Sequence, residues 1–289
     1  MEHSTDFSTT ELMAVVVSQQ IRNDDVAFIG VGIPLLAGIL AVSTHAPEAV
    51  LIYEGGGIGA RTRRLPWTIS DNPTTDNAIS AQTMWRVFSD QQRGYITLGI
   101  IGGAEIDRFG NLNTTVILGD GYTYEHPRIR LPGSGGANDI ASSVGRTVIM
   151  MRLQKKKFVN KLQFITSPGY LGGPGAREAA GLVGGGPEAV ITDKCVFKFD
   201  PETKEMVLCS VYPGYTASDI QECVDWELRV ARNLETIHPP TADQIRILRA
   251  YDPMGFVLSS KTNIGQNGFE DFCDRVQQGY EAITLTPEA

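Results

Sequence analysis

The sequence predicts an α/β chain with an open, mostly parallel sheet flanked by helices. Three observations predict it. Short apolar runs that suit strands buried on both faces, Val26-Ala27-Phe28-Ile29 and Val50-Leu51-Ile52-Tyr53, alternate with helical apolar stripes. The opening third therefore reads helix–strand–helix–strand, the repeat that builds parallel sheets. Several strands also run straight into glycine clusters, and the carboxyl edge of such a sheet is where ligands bind.

Composition bounds the rest. The 289 residues are 42% hydrophobic and 20% charged, enough for one large domain or two small ones with a substantial core. A net charge of −8 leaves no general basic footprint, so no nucleic-acid partner is expected. Cys195, Cys209, Cys223 and Cys273 form no C-x-x-C pair, and with four scattered histidines they give no metal-ligand spacing. Free thiols of this kind suit a reducing compartment. Met1–Glu11 is polar and acidic, unlike a signal peptide, and no apolar run reaches the roughly 20 residues needed to cross a bilayer. A cytoplasmic protein with no membrane partner is expected.

In chain order, a first helix starts near Ser8, with Thr9 or Thr10 as its cap and Leu12, Val15, Val16 and Ile21 as its apolar stripe. Gly30-Val31-Gly32-Ile33-Pro34 turns the next strand into a helix over 35–45. This is no dinucleotide fingerprint, because Leu35 stands where the third glycine belongs. A helix is expected over 76–88, and strands over 95–103, 112–115, 147–151, 162–166, 189–192, 195–199 and 206–211. Asp200-Pro201-Glu202-Thr203-Lys204 is a hairpin turn. A further helix starts at 218–223. Thr241-Ala242-Asp243-Gln244 is a capping box for the next, which Asp252-Pro253 stops. The simplest parse is one domain over 1–260 and a helical extension over 261–289, with a helix near 268–280.

Candidate chemistry sits in the loops. Glu54 follows the second strand at once and precedes Gly55-Gly56-Gly57-Ile58-Gly59. With no lysine or arginine beside it, Glu54 is a candidate nucleophile or base; otherwise it is a turn carboxylate that caps the next element. The glycines would leave space above it and turn N–H groups toward a ligand. Gly133-Ser134-Gly135-Gly136-Ala137 opens toward an amphipathic segment, which suits an anion or oxyanion. The Lys155-Lys156-Lys157 and Lys161 cluster is a solvated face or a phosphate contact. The long loop 172–186 carries Arg177 and Glu178, and a loop of that length is often functional. Asn113-Thr114-Thr115 matches a glycosylation acceptor, an accidental match in a cytoplasmic chain.

Taken together, these segments resemble the B (beta) subunit of family I coenzyme A transferases, most closely the glutaconate type. Glu54-Gly55-Gly56-Gly57-Ile58-Gly59 is similar to the family's E-N/S-G-x-x-G nucleophile motif. Gly102-Gly103-Ala104-Glu105-Ile106-Asp107 with Phe109-Gly110-Asn111-Leu112-Asn113 looks like its G-A-x-Q-x-D…G-N-x-N stretch. Gly133-Ser134-Gly135-Gly136-Ala137-Asn138-Asp139 is similar to its G-x-G-G-A-x-D loop. The resemblance covers roughly Thr10 to Val257. It implies a CoA-transferase fold and no tightly bound cofactor, with the coenzyme A thioester as substrate. Glu54 would attack an acyl-CoA to form an anhydride and then a glutamyl-CoA thioester, from which an acceptor carboxylate takes the CoA. The N–H groups of Gly135, Gly136 and Ala137 would stabilise the oxyanions or hold CoA. The partner would be an A (alpha) subunit of the same fold, in a hetero-oligomer.

Two positions depart from the family pattern. Gly55 stands where many members have Asn or Ser, and Glu105 replaces the usual Gln. A second carboxylate at 105 is a possible base toward water. The resemblance also implies the alternatives on this fold, because relatives of the family include a CoA-thioester hydrolase of ring-opened steroid type and a glutaconyl-type CoA decarboxylase.

Overall fold

The computed structural model describes residues 3–30 and 32–258 and, beyond these, 273, 274, 277, 278 and 281. The expected extension over 261–289, with its helix near 268–280, lies almost wholly outside the described residues. The helices are α1 (Thr9–Ser18), α2 (Ile33–Ser43), α3 (Met84–Gln92), α4 (Ala137–Ser143), α5 (Ala176–Ala179), α6 (Ala217–Gln221) and α7 (Ala242–Tyr251). The chain forms two compact units, residues 1–87 with 239–289, and residues 88–238. Both are α/β, with open, mixed sheet and flanking helices.

In the first unit, β1 (Val26–Phe28) and β2 (Val50–Ile52) are parallel, with Val26 opposite Val50. β3 (Gly57–Ile58) and β4 (Ser80–Ala81) follow antiparallel. The cap of α1 is Ser8, not Thr9 or Thr10, because Ser8 stands three residues before Glu11 and the two close a reciprocal capping box. Glu11 also binds Arg249 of α7 at 2.6 Å. α2 is apolar on nearly every face, which is why Pro34 to Ala41 are all buried. The helix expected over 76–88 starts only at Met84. Residues 79–82 are drawn instead into sheet pairing, with Ile79 N–H on Ile58 O at 2.9 Å and Gln82 N–H on Gly56 O at 2.9 Å. Tertiary pairing overrides a weak local preference.

In the second unit, β5 (Leu98–Ile101) leads to two small hairpins. These are β6 (Glu105–Ile106) with β7 (Leu112–Asn113), and β8 (Val116–Ile117) with β9 (Ile129–Arg130). β10 (Arg146–Met150) lies parallel between β5 and β11 (Pro187–Ile191). β12 (Cys195–Phe199) and β13 (Met206–Val211) extend the sheet antiparallel, around the expected turn at 200–204. β14 (Arg229–Thr236) adds in parallel. Ile100, Val148, Val190, Phe197 and Leu208 form the buried centre. The strand expected over 162–166 does not form; the Thr166 and Ser167 N–H groups both reach the single Leu112 carbonyl, a bridge rather than a ladder. β14 escapes the sequence reading because its residues are mostly exposed and show no apolar alternation. Among the described residues no helix is long and apolar enough to cross a membrane.

Candidate active site

Glu54 belongs to the first unit. Tyr53, 1% exposed, anchors the end of β2, and the chain then folds back within four residues. Tyr53 N–H donates to Gly57 O at 2.9 Å, and Gly56 N–H donates to Tyr53 O at 2.9 Å. Glu54 sits half-buried at the tip of this turn. Its carboxylate has no hydrogen-bond or ion-pair partner among the described residues, and burial alone raises its pKa above the usual carboxylate value. Burial without a compensating donor disfavours the charged form and makes the ionised carboxylate a stronger base. The turn carboxylate that caps a neighbouring element is thereby set aside, since Glu54 caps nothing among the described residues.

The glycines after Glu54 do something other than expected. They do not leave open space. A Cβ at Gly56 would overlap the Gln82 carbonyl, and one at Gly57 would overlap the Thr74 carbonyl. At Gly55 it would strike the Ile69 carbonyl and come within 2.8 Å of Ser70 Oγ. Gly55 N–H donates to Ile69 O at 3.1 Å. The stretch 69–82 thus wraps the turn backbone to backbone and fixes where Glu54 projects. The room that an Asn or Ser side chain at position 55 would need is taken by Ser70. Sequence reading missed Ser70, Thr74 and Gln82 because nothing local marks a residue as the neighbour of a distant glycine.

The second glycine loop and Glu105 belong to the second unit. Gly133 N–H donates to Thr114 O at 2.8 Å, and Leu131 N–H to Thr115 O at 2.9 Å, which seats the loop on the chain leaving β7. Gly133 (φ +99°) and Gly135 (φ +50°) adopt left-handed backbone, and a Cβ at either would meet nothing within 4 Å. The loop is open above. Ala137 N–H, one of three expected donors, already binds Ser134 O at 3.0 Å, as the helix-opening turn requires. The N–H groups of Gly135 and Gly136 have no partner among the described residues.

Glu105 accepts a hydrogen bond from Asn113 Nδ2 at 2.7 Å. Asn113 is fully buried and also donates to Val116 O, while its Oδ1 accepts from Thr115 and Val116 N–H groups. Its amide is wholly engaged, so the glycosylation pattern is accidental. Glu105 and the glycine loop are therefore joined through Asn113–Thr114.

The sequence pattern of the family described as Coenzyme A transferase matches residues 10–222. The chain belongs to the coenzyme A transferase family. It is 39% identical to the B (beta) subunit of the 3-oxoadipate CoA-transferase of Pseudomonas knackmussii, over 85% of this chain and 94% of that one. It is 36% identical to the corresponding subunit of the glutaconate CoA-transferase of Acidaminococcus fermentans, over 86% and 94%. The crystal structure of the A. fermentans glutaconate CoA-transferase superposes with a TM-score of 0.82 at 34% identity, covering 88% of this chain and 98% of that one.

Other family-like motifs of this coenzyme A transferase chain are structural. Asp107 accepts from the N–H groups of Phe109 and Asn111 and from Asn111 Nδ2, and Asn111 in turn holds the backbone at Gly169 and Leu171. Arg177, 3% exposed, donates to the carbonyls of Gly169, Ala141 and Gly184 at 2.8–3.0 Å. The long loop is thus pinned by a buried guanidinium, and this arginine is a strut. Lys155, Lys156 and Lys161 are exposed to solvent. Among the described residues no cluster of three His, Cys, Asp or Glu side chains is placed to hold a metal ion.

Proposed function

We propose that this chain is the beta-type subunit of a CoA-transferase in which Glu54 is the acyl-accepting nucleophile. The observation that carries the reading is the partnerless, half-buried Glu54 carboxylate on a turn held rigid by glycine packing. A nucleophile must be both fixed and unencumbered. Glu54 attacks the thioester carbonyl, the carbon–sulfur bond breaks, and CoA thiolate leaves an acyl-glutamyl anhydride. The thiolate then attacks the glutamyl carbonyl and releases the donor as a carboxylate. An acceptor carboxylate attacks the resulting glutamyl-CoA thioester and expels CoA thiolate to form a second anhydride; the thiolate then attacks the acceptor's carbonyl of that anhydride, giving the product acyl-CoA and freeing the Glu54 carboxylate. Carboxylates serve as donor, enzyme group and acceptor, so each step is close to balanced. In the same reading the Gly135 and Gly136 N–H groups serve an anionic oxygen of the thioester or its tetrahedral intermediate, each such donor contributing about 2.7–4 kcal/mol.

The relatives' names point to an alpha-type partner subunit and to acyl groups derived from dicarboxylates. At 39% and 36% identity they do not single out the glutaconate subtype. A Glu105 carboxylate acting as a base toward water, together with Gly55, would have favoured the hydrolytic or decarboxylating alternatives. That carboxylate is bound by Asn113, and both relatives are named transferases, so neither alternative is favoured. The free cysteines are in keeping with a cytoplasmic setting.

The test is transfer activity of the complex reconstituted with its alpha-type subunit. Glu54→Asp withdraws the carboxylate by one methylene and is expected to cost roughly 10²-fold in kcat. Glu54→Gln is expected to cost more, with assembly intact. Transfer at the parent rate by an assembled Glu54→Gln complex would remove the nucleophile from the proposal.

A further inference from the structure

One cavity takes no part in the proposed transfer. It lies in the second unit, at the amino ends of β10 and β11, where Arg146 and Pro187 open the two strands. β5 runs parallel to β10 and leaves the sheet at the opposite edge, toward Glu105. The cavity holds about 280 Å³. Tyr170 and Phe199 line it edge to face, with ring centroids 5.3 Å apart. The Tyr170 hydroxyl donates to Pro187 O at 2.9 Å, which fixes the ring. Both lining carboxylates are committed. Glu188 binds Arg146 at 2.8 Å. Asp200 accepts from the N–H groups of Glu202 and Thr203 and from Arg229. Lys204 differs from these charges. Its ammonium lies 5.3 Å from the centre of the Tyr170 ring and has no carboxylate partner among the described residues. Lys204 also holds left-handed backbone, φ +60°, at a turn position where glycine or asparagine is the usual choice. A lysine stands there in spite of the strain, and outliers of this kind point to function. Gly186, buried in the same lining, has an N–H with no partner among the described residues.

We propose that this cavity binds a small monocyclic carboxylate, with its ring against Tyr170 and Phe199 and its carboxylate on Lys204. An apolar cavity of about 150 Å³ already admits benzene, so the volume suits one ring with a short acidic group. Aromatic walls favour an aromatic guest in edge-on or offset contact. An ammonium held over a ring face is partly stripped of water, and a carboxylate that reaches it gains a charge-assisted hydrogen bond. The Gly186 N–H is a second donor on the same lining. With Arg146 and Arg229 already engaged, the remaining lining charge is one ammonium, which balances a monoanion and not a phosphate dianion. The paired state of Glu188 and Asp200 disfavours a cationic guest. The site uses neither Glu54 nor the Gly133–Gly136 loop, and its ligand is read without the transferase chemistry.

The experiment is calorimetry on the assembled complex with two probes, benzoate and the uncharged benzamide. Benzoate is expected to bind more tightly than benzamide by roughly 10- to 100-fold, the worth of a hydrogen bond to a charged group. Lys204→Gly removes the ammonium and relieves the left-handed backbone. It is expected to erase the preference for benzoate while Tm holds or rises and transfer proceeds at the parent rate. Phe199→Leu takes away a ring and no charge, and is expected to weaken both probes alike. No benzoate binding at millimolar concentration, or binding no tighter than that of benzamide, would overturn the proposal. So would benzoate binding that Lys204→Gly leaves unchanged, which would place the carboxylate elsewhere, at an acceptor site for transfer.

Discussion

Two glycine-rich stretches look alike in the sequence and are built for opposite reasons. In Gly55–Gly57 the glycines exist because the chain's own backbone presses on them: the Ile69, Thr74 and Gln82 carbonyls occupy the space where side chains would start. At Gly133 and Gly135 nothing presses at all. Gly133 and Gly135 are required by left-handed backbone, and the space above them is empty. The first stretch is a clamp that leaves one carboxylate projecting; the second is an open rim with two uncommitted N–H groups. Glycine content signals close approach or special φ, and only the surroundings say which.

The difference is broken most sharply by alanine. Gly56→Ala combines a φ of +114° with an overlap on the Gln82 carbonyl, and is expected to destabilise the protein by about 3 kcal/mol or more in urea unfolding. A cost under about 1 kcal/mol would mean the clamp yields, and Glu54 is not held as described. Arg177→Met removes the strut and leaves several buried carbonyls without donors; a loss of about 2–4 kcal/mol is expected by the same measurement. Gly133→Ala meets only the backbone penalty, about 1 kcal/mol, and is expected to fold normally. Should it cost as much as Gly56→Ala, the rim is not open.

The smallest effect has a distinctive sign. Burial raises the Glu54 pKa in the folded state, so folding favours its protonated form. Its contribution to stability is complete below the unfolded carboxylate pKa and is lost as pH rises through the higher folded value. Glu54→Gln is therefore expected to raise Tm slightly at neutral pH and to leave it unchanged near pH 3. A lower Tm at neutral pH would show a stabilising partner for the carboxylate. For activity the same shift places the acid limb of transfer at a higher pH than an ordinary glutamate would give.

Much of this was legible in the residues. The strands at 26–28, 50–52, 195–199 and 206–211 follow from apolar runs and a Pro-containing turn, which are local signals. So is the capping box at Thr241–Gln244, which the structure closes as expected. The position of Glu54 at the end of a strand was local as well. What stayed hidden was long-range. The pairing of 79–82 with the Glu54 turn, the bridge at Leu112–Ser167 and the Arg177 hydrogen bond to the Ala141 carbonyl all depend on partners tens of residues away. The exposed edge strand β14 carries no apolar period to read. The role of Asn113, which holds the Glu105 carboxylate, stayed hidden too, because its contacts come from its pairing in the β6–β7 hairpin and the turn at Val116.

The proposal stands or falls on a covalent bond at Glu54. The reconstituted complex, incubated with acyl-CoA and no acceptor, is digested and its peptides weighed. A peptide containing Glu54 that gains the mass of a CoA thioester, and is absent from Glu54→Gln, is the predicted result. Steady release of free CoA with Glu54 unmodified would contradict it.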